Sequence, residues 1–227
     1  MQLLNRLISL IPIEDTSPVG APVFAVIDVE TTGLNADRCR IVEIGVVRLD
    51  KHFREVDRWE TLINPGLRSI AGQQIHHINK AMLADAPSFA GIHDELNHRL
   101  HGMVILAHNA RFDVNFINAE AKRLYRRTPA SKQLFLENVI DTLDLAKQVI
   151  PKGSHSLDAL LRRFRIRNEC AHSAGADAAA TGKLLTKLIG LRTMTVSRKL
   201  RSQRAEHNAA LRPTIGDAQP PLPRKDV

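Results

Sequence analysis

Acidic residues at three separate points of the chain could hold a divalent cation. Asp28 and Glu30 lie two residues apart at the end of an apolar, β-prone run. Because side chains alternate between the two faces of a strand, these carboxylates point the same way. Neighbouring carboxylates repel each other, and a hard cation between them removes that repulsion. The pair alone also fits a strand end with solvated acids, but the Thr31-Thr32-Gly33 turn that follows favours the cation.

The second point is Asp113, which follows a short buried run and begins a predicted helix. Ligands of α/β proteins gather where strands end and helices begin. Capping of the helix by its first-turn aspartate is the alternative explanation.

The third point is the pair His172 and Asp177. Five residues would place them about 140° apart on one continuous helix, so they could not share a face. If Gly175 marks the start of the helix, His172 lies on the preceding loop and both side chains can reach one site. A histidine that titrates near neutrality is suited to take a proton from water. A surface histidine is the alternative.

Alternating patterns predict the elements that position these residues. Three closely spaced strands predict an antiparallel meander, and the strand–helix alternation that follows predicts parallel strands. The fold class is therefore α/β, a mixed five-stranded sheet flanked by helices. The predicted strands are 22–29, Ile41–Leu49, Arg58–Ile63, Met103–Ala107 and Val139–Thr142, and the predicted helices are Ser88–Leu100, Arg111–Tyr125, Leu143–Val149, Ser156–Phe164 and Ala174–Ile189.

The length of 227 residues fits one domain with extra sequence at both ends. We expect an N-terminal extension over residues 1–20, a main domain over 21–192 and a mobile, basic, proline-containing tail over 193–227. The extension has the pattern of a short amphipathic helix, with apolar residues on one side at Leu3, Leu4, Leu7, Ile8 and Ile11.

Charge and cysteine content narrow the class of protein. The net charge of +8 favours a polyanionic partner such as nucleic acid, although a well-solvated basic surface explains it equally well. No apolar run approaches the length of a membrane span, so we expect no membrane partner. Cys39 and Cys170 have no partner at metal-like spacing, which favours reduced thiols and a cytoplasmic location.

Together, the acidic segments resemble the three motifs of the DnaQ-like exonucleases, in the branch named DEDDh. The resemblance covers residues 23–188. The first motif, D-x-E-T-T-G, matches Asp28–Gly33, the second, H-N-A-x-F-D, matches His108–Asp113, and the third, H-x-x-x-x-D-A, matches His172–Ala178. A sister branch carries tyrosine where this chain has Ser173, so the histidine branch is indicated.

The resemblance implies a ribonuclease-H-like fold and hydrolysis of the terminal phosphodiester with two divalent ions, Mg²⁺ with Mn²⁺ able to substitute. By similarity, Asp28 contacts both ions, Glu30 and Asp177 the ion that activates water, and Asp113 the other ion. His172 is implied as the general base.

The same resemblance implies substrate contacts. Thr31 and Leu34 are expected under the terminal nucleotide, with Leu34 as an apolar wedge against its base. Asn109 is expected to support the substrate backbone.

Two further positions have two possible explanations each, and a third departs from the family pattern. His76 is a candidate substrate contact or a structural histidine, and Asp141 supports the site or shapes a turn. His77 stands where the family commonly has glycine, which concerns the shape of the pocket for the terminal base.

The function that we expect is removal of nucleoside 5′-monophosphates from single-stranded or frayed DNA 3′ ends, in proofreading or repair. RNA 3′-end trimming by the same chemistry and a non-catalytic nucleic-acid-binding module are the alternatives. The termini could bind a polymerase or repair partner. However, 191–227 shows no convincing clamp-binding peptide of the proofreading subunits, which favours a free-standing exonuclease or a paralogue.

Overall fold

The computed structural model of this chain describes residues 20–125, 136 and 138–210. The chain divides into two compact units, Met1–Ile189 and Gly190–Val227. The helix predicted within 1–20 and the proline-containing end of the tail, 211–227, lie outside the described residues. The three predicted domain ranges therefore stay predictions. Among the helices described, none is long and apolar enough to cross a membrane.

The first unit contains a mixed five-stranded sheet, as the sequence predicted. Its order is β3-β2-β1-β4-β5, so β1 occupies the centre. β1 pairs antiparallel with β2 and parallel with β4, β2 pairs antiparallel with β3, and β4 pairs parallel with β5. The strands are β1 (Phe24–Thr31), β2 (Ile41–Leu49), β3 (Glu55–Leu62), β4 (Val104–Ala107) and β5 (Val139–Asp141).

Helices connect and cover the sheet. The side-chain oxygens of Ser88 and Ser156 accept hydrogen bonds from Gly91 N and Ala159 N, and these bonds cap the starts of two helices. The described helices are α1 (Gln73–His76), α2 (Phe89–Leu100), α3 (Ala110–Tyr125), α4 (Thr142–Val149), α5 (Leu157–Phe164) and α6 (Ala174–Ala210).

The core follows from the apolar composition of the strands. Apart from the half-buried Arg48, every residue of β2 is buried, and β4 is buried throughout. One face of the sheet packs against α2 and α3 through Ile27, Ile44, Leu96 and Phe116. This burial holds the central strand and the start of α3 in fixed relation, which is what a site at their junction requires.

Helix α6 is longer than predicted. The sequence indicated an end at Ile189, before a segment rich in basic residues, whereas the helix continues to Ala210. From residue 191 to 210 the segment contains four Arg, three Ala and two Leu, which are good helix formers, and no proline follows before Pro213. Local helix propensity therefore accounts for the extension of the helix beyond Ile189.

Smaller differences have local causes. Thr142 was predicted as the end of a strand, but it begins α4 because the Asp141 side chain accepts a hydrogen bond from Leu143 N at 2.8 Å. β3 begins at Glu55 rather than Arg58. The four-residue helix α1 was not predicted, and it is too short to leave a periodic signal.

Candidate active site

The central strand β1 carries Asp28 and Glu30 in its carboxyl-terminal half. Within β1 they lie opposite Gly45 and Glu43 of β2, and both are half-buried. The parallel neighbour β4 pairs with β1 only at Phe24–Val26. The carboxyl-terminal half of β1 therefore extends past β4, and its acidic residues lie where other elements can reach them.

Helix α3 supplies Asp113. This residue lies in the first turn of the helix, is 3% exposed and accepts a hydrogen bond from Val29 N to Oδ1 at 3.1 Å. Since β4 ends its pairing with β1 before Val29, the aspartate satisfies an N–H group in the part of the strand beyond that pairing. This hydrogen bond ties the start of α3 to β1 beside Asp28.

Asp141 fixes the start of α3. Its carboxylate accepts hydrogen bonds from Asn109 N at 2.9 Å, Ala110 N at 3.0 Å and Leu143 N at 2.8 Å. Three backbone partners explain the residue fully as a cap of α3 and α4. Of its two predicted roles, the structure favours the one in shaping the turn.

Helix α6 and the turn before it supply Asp177 and His172. Asp177 lies in the first turn of the helix, and His172 precedes the helix with φ of 64°. His172 N donates to Asp177 Oδ2 at 3.2 Å, and the Asn168 side-chain amide donates to Asp177 Oδ1. Ligand atoms of Glu30, His172 and Asp177 all lie within 4.8 Å of one another. The turn thus brings together two residues that a continuous helix would separate.

The charges of these acids reinforce one another. Burial, followed by the carboxyls of Asp113, Asp177, Glu30 and Glu43, raises the pKa of Asp28 well above its ordinary value. Burial and the carboxyls of Asp177 and Glu43 raise the pKa of Glu30 from 4.5 to about 8. The strongest influences on Asp28 all disfavour its negative charge, which a bound cation would stabilise.

The pKa values of the other two acids, Asp113 and Asp177, are also raised. Burial raises the pKa of Asp113 well above the ordinary value, although backbone hydrogen bonds oppose the shift. Burial also raises the pKa of Asp177, against the hydrogen bond from Asn168. Four carboxyls that resist ionisation side by side are a set of hard oxygen donors suited to Mg²⁺ or Mn²⁺.

Two glutamates from the sheet hold the start of α6. Glu43 Oε2 accepts from Ala174 N at 2.9 Å, while Glu60 Oε1 accepts from Ser173 Oγ at 2.5 Å and Gly175 N at 3.1 Å. Burial, with the charge and hydrogen bond of Glu60, raises the pKa of Glu43 to about 7, although the bond from Ala174 opposes this. The helix that carries Asp177 is therefore fastened to β2 and β3.

The sequence interpretation did not single out Glu43, Glu60 or Asn168 as site residues. A glutamate inside the apolar strand Ile41–Leu49 was a signal for Glu43, because an acid is buried only with partners. Glu60 and Asn168 carried no such signal, since their roles depend on contacts with the turn before α6.

The expected substrate contacts lie at the end of β1, in the segment that follows it and just before α3. Thr31 is buried, and its Oγ1 donates to Gly33 O at 2.7 Å. Leu34, three residues further on, is 87% exposed. Asn109 is exposed and adopts φ of 68° at the start of α3. Thr31 and Asn109 thus flank Asp28 and Asp113 in sequence, and Leu34 offers an apolar surface to solvent.

His76 and His77 have different environments. His76 is 4% exposed, with Nδ1 accepting from Ile78 N at 3.0 Å and Nε2 therefore donating to Ala71 O at 3.1 Å. Two backbone partners favour the structural role over substrate contact. His77 is exposed with φ of 60°, a left-handed conformation that glycine adopts more readily and that explains a glycine at this position in the family.

Comparison with known proteins identifies the family of this chain. The family model described as "Exonuclease" (RNase T) matches residues 25–185. A relative named DNA polymerase III subunit epsilon, from Treponema pallidum, is 37% identical over 171 residues, covering 73% of this chain and 76% of the relative. The protein of the same name from Rickettsia conorii is 35% identical over 169 residues, covering 73% of each chain.

Solved structures show the same fold. Exonuclease X, in complex with 5′-overhanging duplex DNA, superposes with a TM-score of 0.59 at 26% identity, covering 74% of this chain and 92% of that one. Escherichia coli exonuclease I, with a dT13 oligonucleotide, superposes with a TM-score of 0.65 at 20% identity, covering 84% and 46%. With the family model matching most of its length, this chain belongs to the exonuclease family.

Proposed function

We propose that this protein is a divalent-metal-dependent 3′–5′ exonuclease that releases nucleoside 5′-monophosphates from DNA 3′ ends. The observation that carries the proposal is the convergence of Asp28, Glu30, Asp113 and Asp177 from three elements, with the pKa of each raised by burial. Epsilon subunits among the relatives and DNA in the solved structures of exonucleases X and I support DNA as the substrate.

The four acids fit a pair of divalent ions, which we propose to be Mg²⁺. Asp28, Glu30, Asp113 and Asp177 would hold them, because these carboxyls repel one another and are hard oxygen donors. Bound ions would stabilise the negative charge that develops on the attacking and leaving oxygens of the phosphodiester.

His172 is proposed to act as the general base. It is exposed, so water and substrate can reach it, and its ring nitrogen lies within 4.8 Å of ligand atoms of Glu30 and Asp177. In the reaction, His172 takes one proton from water, and the resulting oxygen bonds to the terminal phosphorus. The bond from phosphorus to the 3′ oxygen breaks, that oxygen takes a proton from solvent, and the nucleotide leaves with its 5′ phosphate.

Thr31, Leu34 and Asn109 are proposed to bind the terminal nucleotide. The exposed Leu34 side chain would gain from contact with an apolar base, whereas it contacts water in the free protein. Asn109 lies between β4 and the helix that carries Asp113, so its amide is available to the sugar–phosphate backbone. His76 could contact substrate only if substrate replaced one of the two backbone partners of its ring.

We further propose that the protein edits or repairs DNA 3′ ends in the cytoplasm and that its termini bind a polymerase or repair protein. The relatives named as subunits of DNA polymerase III support this context. The lack of a convincing clamp-binding peptide in 191–227 favours a paralogue of the epsilon subunit over the replicase subunit itself.

The test is digestion of 5′-end-labelled single-stranded DNA, of duplex DNA with a mismatched 3′ end, and of RNA of the same sequence. With Mg²⁺ or Mn²⁺ we expect a ladder that shortens from the 3′ end of both DNAs, release of 5′-mononucleotides, and no reaction in EDTA. Absence of metal-dependent shortening of any polymer would overturn the enzymatic proposal. Faster shortening of RNA than of either DNA would overturn the assignment of DNA as the substrate.

A further inference from the structure

Glu60 lies in the same cross-strand row as the acidic site. Asp28 of β1 pairs with Gly45 of β2, and Gly45 pairs with Glu60 of β3. Residues directly opposite one another across a sheet point to the same side of it. Asp28 and Glu60 therefore lie on one face, on either side of a position that has no side chain.

The first residues of α6 occupy that position. A Cβ atom added to Gly45 would lie 2.4 Å from the Ala174 carbonyl carbon and 2.4 Å from Gly175 N. Gly175 in turn approaches Glu60 closely, since a Cβ atom there would lie 2.6 Å from Glu60 Oε2. The start of α6 therefore packs over Gly45, between Asp28 of β1 and Glu60 of β3.

Glu60 fixes this segment by two hydrogen bonds. Its Oε1 accepts from the Ser173 hydroxyl at 2.5 Å and from Gly175 N at 3.1 Å. Ser173 directly follows His172, and Ser173 O accepts from Asp177 N at 2.9 Å. The hydrogen bonds of Glu60 therefore act on the residues between the proposed base and the proposed metal ligand.

The segment needs such support because His172 has φ of 64°. A left-handed conformation is unfavourable for a residue with a Cβ atom, so it persists where neighbouring contacts hold it. Glu60 itself is exposed and lies on the outer strand β3, away from the core that stabilises the sheet. Its contacts thus order the segment more than they stabilise the fold.

We propose that Glu60 is a positioning residue, which holds Ser173 and Gly175 so that His172 and Asp177 face the site. The proposal rests on the exonuclease function proposed above. It predicts that loss of the Glu60 carboxylate slows the chemical step and leaves DNA binding and folding nearly intact.

The first test compares Glu60→Ala, Glu60→Gln and the control Glu55→Ala, which removes an exposed glutamate of the same strand that pairs with Arg58. For Glu60→Ala we expect kcat to fall about 10- to 100-fold with KM changed less than about 2-fold, because small displacements of catalytic groups act on the chemical step. Glu60→Gln retains an oxygen that accepts from Ser173 and should recover most of kcat. Glu55→Ala should behave as wild type, and melting temperatures should agree within experimental error.

The second test is a double-mutant cycle of Glu60→Ala with Ser173→Ala. If both act through one hydrogen bond, the double variant loses no more kcat than Glu60→Ala alone. An unchanged kcat in Glu60→Ala, additive losses in the cycle, or a loss of kcat that follows a fall in melting temperature would each overturn the proposal. An inactive wild-type protein would instead overturn the exonuclease function, so the two failures are distinguishable.

Discussion

Asp28 is the residue on which the other carboxyls of the site converge. Burial and four neighbouring carboxyls raise its pKa, so the free protein favours the protonated form more than an ordinary aspartate does. A divalent cation reverses this preference, because it stabilises the charged form and displaces the proton. At the residue scale, protons would therefore compete with the proposed metal ions for this site.

Leu34 provides a test of substrate binding. Leu34→Ala should lower kcat/KM on single-stranded DNA about 10-fold, since full burial of a leucine contributes about 1.5–3 kcal/mol and the substitution removes only part of that apolar surface. The melting temperature should not change, because the side chain is 87% exposed. Steady-state kinetics and thermal unfolding measure both effects. Met82→Ala, at another exposed apolar position, should leave kcat/KM unchanged; equal effects of the two variants would contradict the role of Leu34.

His77 provides a test of backbone strain. His77→Gly should raise the free energy of unfolding by about 0.5–1 kcal/mol, because relief of the left-handed conformation outweighs the added freedom of glycine in the unfolded chain. Urea unfolding measures the change. A less stable variant would show that contacts of the His77 side chain stabilise the protein by more than the backbone strain costs.

At the scale of elements, three segments that are distant in sequence meet at the carboxyl-terminal end of the central strand. β1 carries Asp28 and Glu30, α3 carries Asp113, and α6 carries Asp177. Each helix is fastened to the sheet near its start by side-chain hydrogen bonds, α3 through Asp113 to Val29 and α6 through Glu43 and Glu60. The site depends on these attachments as well as on the ligating residues.

Gly45 tests the attachment of α6. Gly45→Ala should lower kcat about 100-fold, because a displacement of about 1 Å at a catalytic group has effects of that size. A Cβ atom there would lie 2.4 Å from backbone atoms of Ala174 and Gly175, so the helix must move. We also expect a loss of about 1–3 kcal/mol in the free energy of unfolding from overpacking.

The matched control is Gly190→Ala, in the same helix with nothing within 4 Å of the added Cβ. It should keep full activity and gain slightly in stability. Circular dichroism and kinetics on both variants make the comparison. Full activity in Gly45→Ala would contradict the close seating of α6 on β2.

Much of this arrangement could be predicted from sequence, because local patterns determine it. The apolar run of β2 predicted its bounds, and the motif around Asp113 predicted a helix start after a buried strand. The role of Glu60 could not be predicted, since it depends on a contact with Ser173, far along the chain. The end of α6 was missed because core periodicity stops at Ile189 while helix propensity continues.

At the scale of the whole molecule, the acidic site is expected to lower the free energy of unfolding as pH rises in the absence of metal. Glu30 and Glu43 have pKa values raised from 4.5 to about 8 and about 7. Between pH 4.5 and 8 the folded protein therefore keeps protons that the unfolded chain releases, and the free energy of unfolding falls as pH increases. Metal binding to the folded state should counter this loss.

The measurement is thermal unfolding between pH 6.5 and 8.5 in EDTA and in Mg²⁺. Burial lowers the pKa of His108 from its ordinary value of 6.5. Below pH 6.5 this group would make the free energy of unfolding rise with pH, so the pH range begins at 6.5. In EDTA the melting temperature should fall with pH, Mg²⁺ should raise it most at pH 8.5, and Glu30→Gln should weaken the dependence. A melting temperature that rises with pH in EDTA would contradict the raised pKa values.

The most direct test of the central claim compares wild type with Asp28→Asn in the release of mononucleotides from DNA 3′ ends. Asparagine keeps the shape of the side chain and removes the charge that would hold the proposed metal ions. We expect Mg²⁺-dependent release by wild type and a loss of at least about 1,000-fold in Asp28→Asn, with folding retained. The control Asp144→Asn, at an exposed position paired with Lys147, should be fully active. Equal activity of Asp28→Asn and wild type would contradict the account.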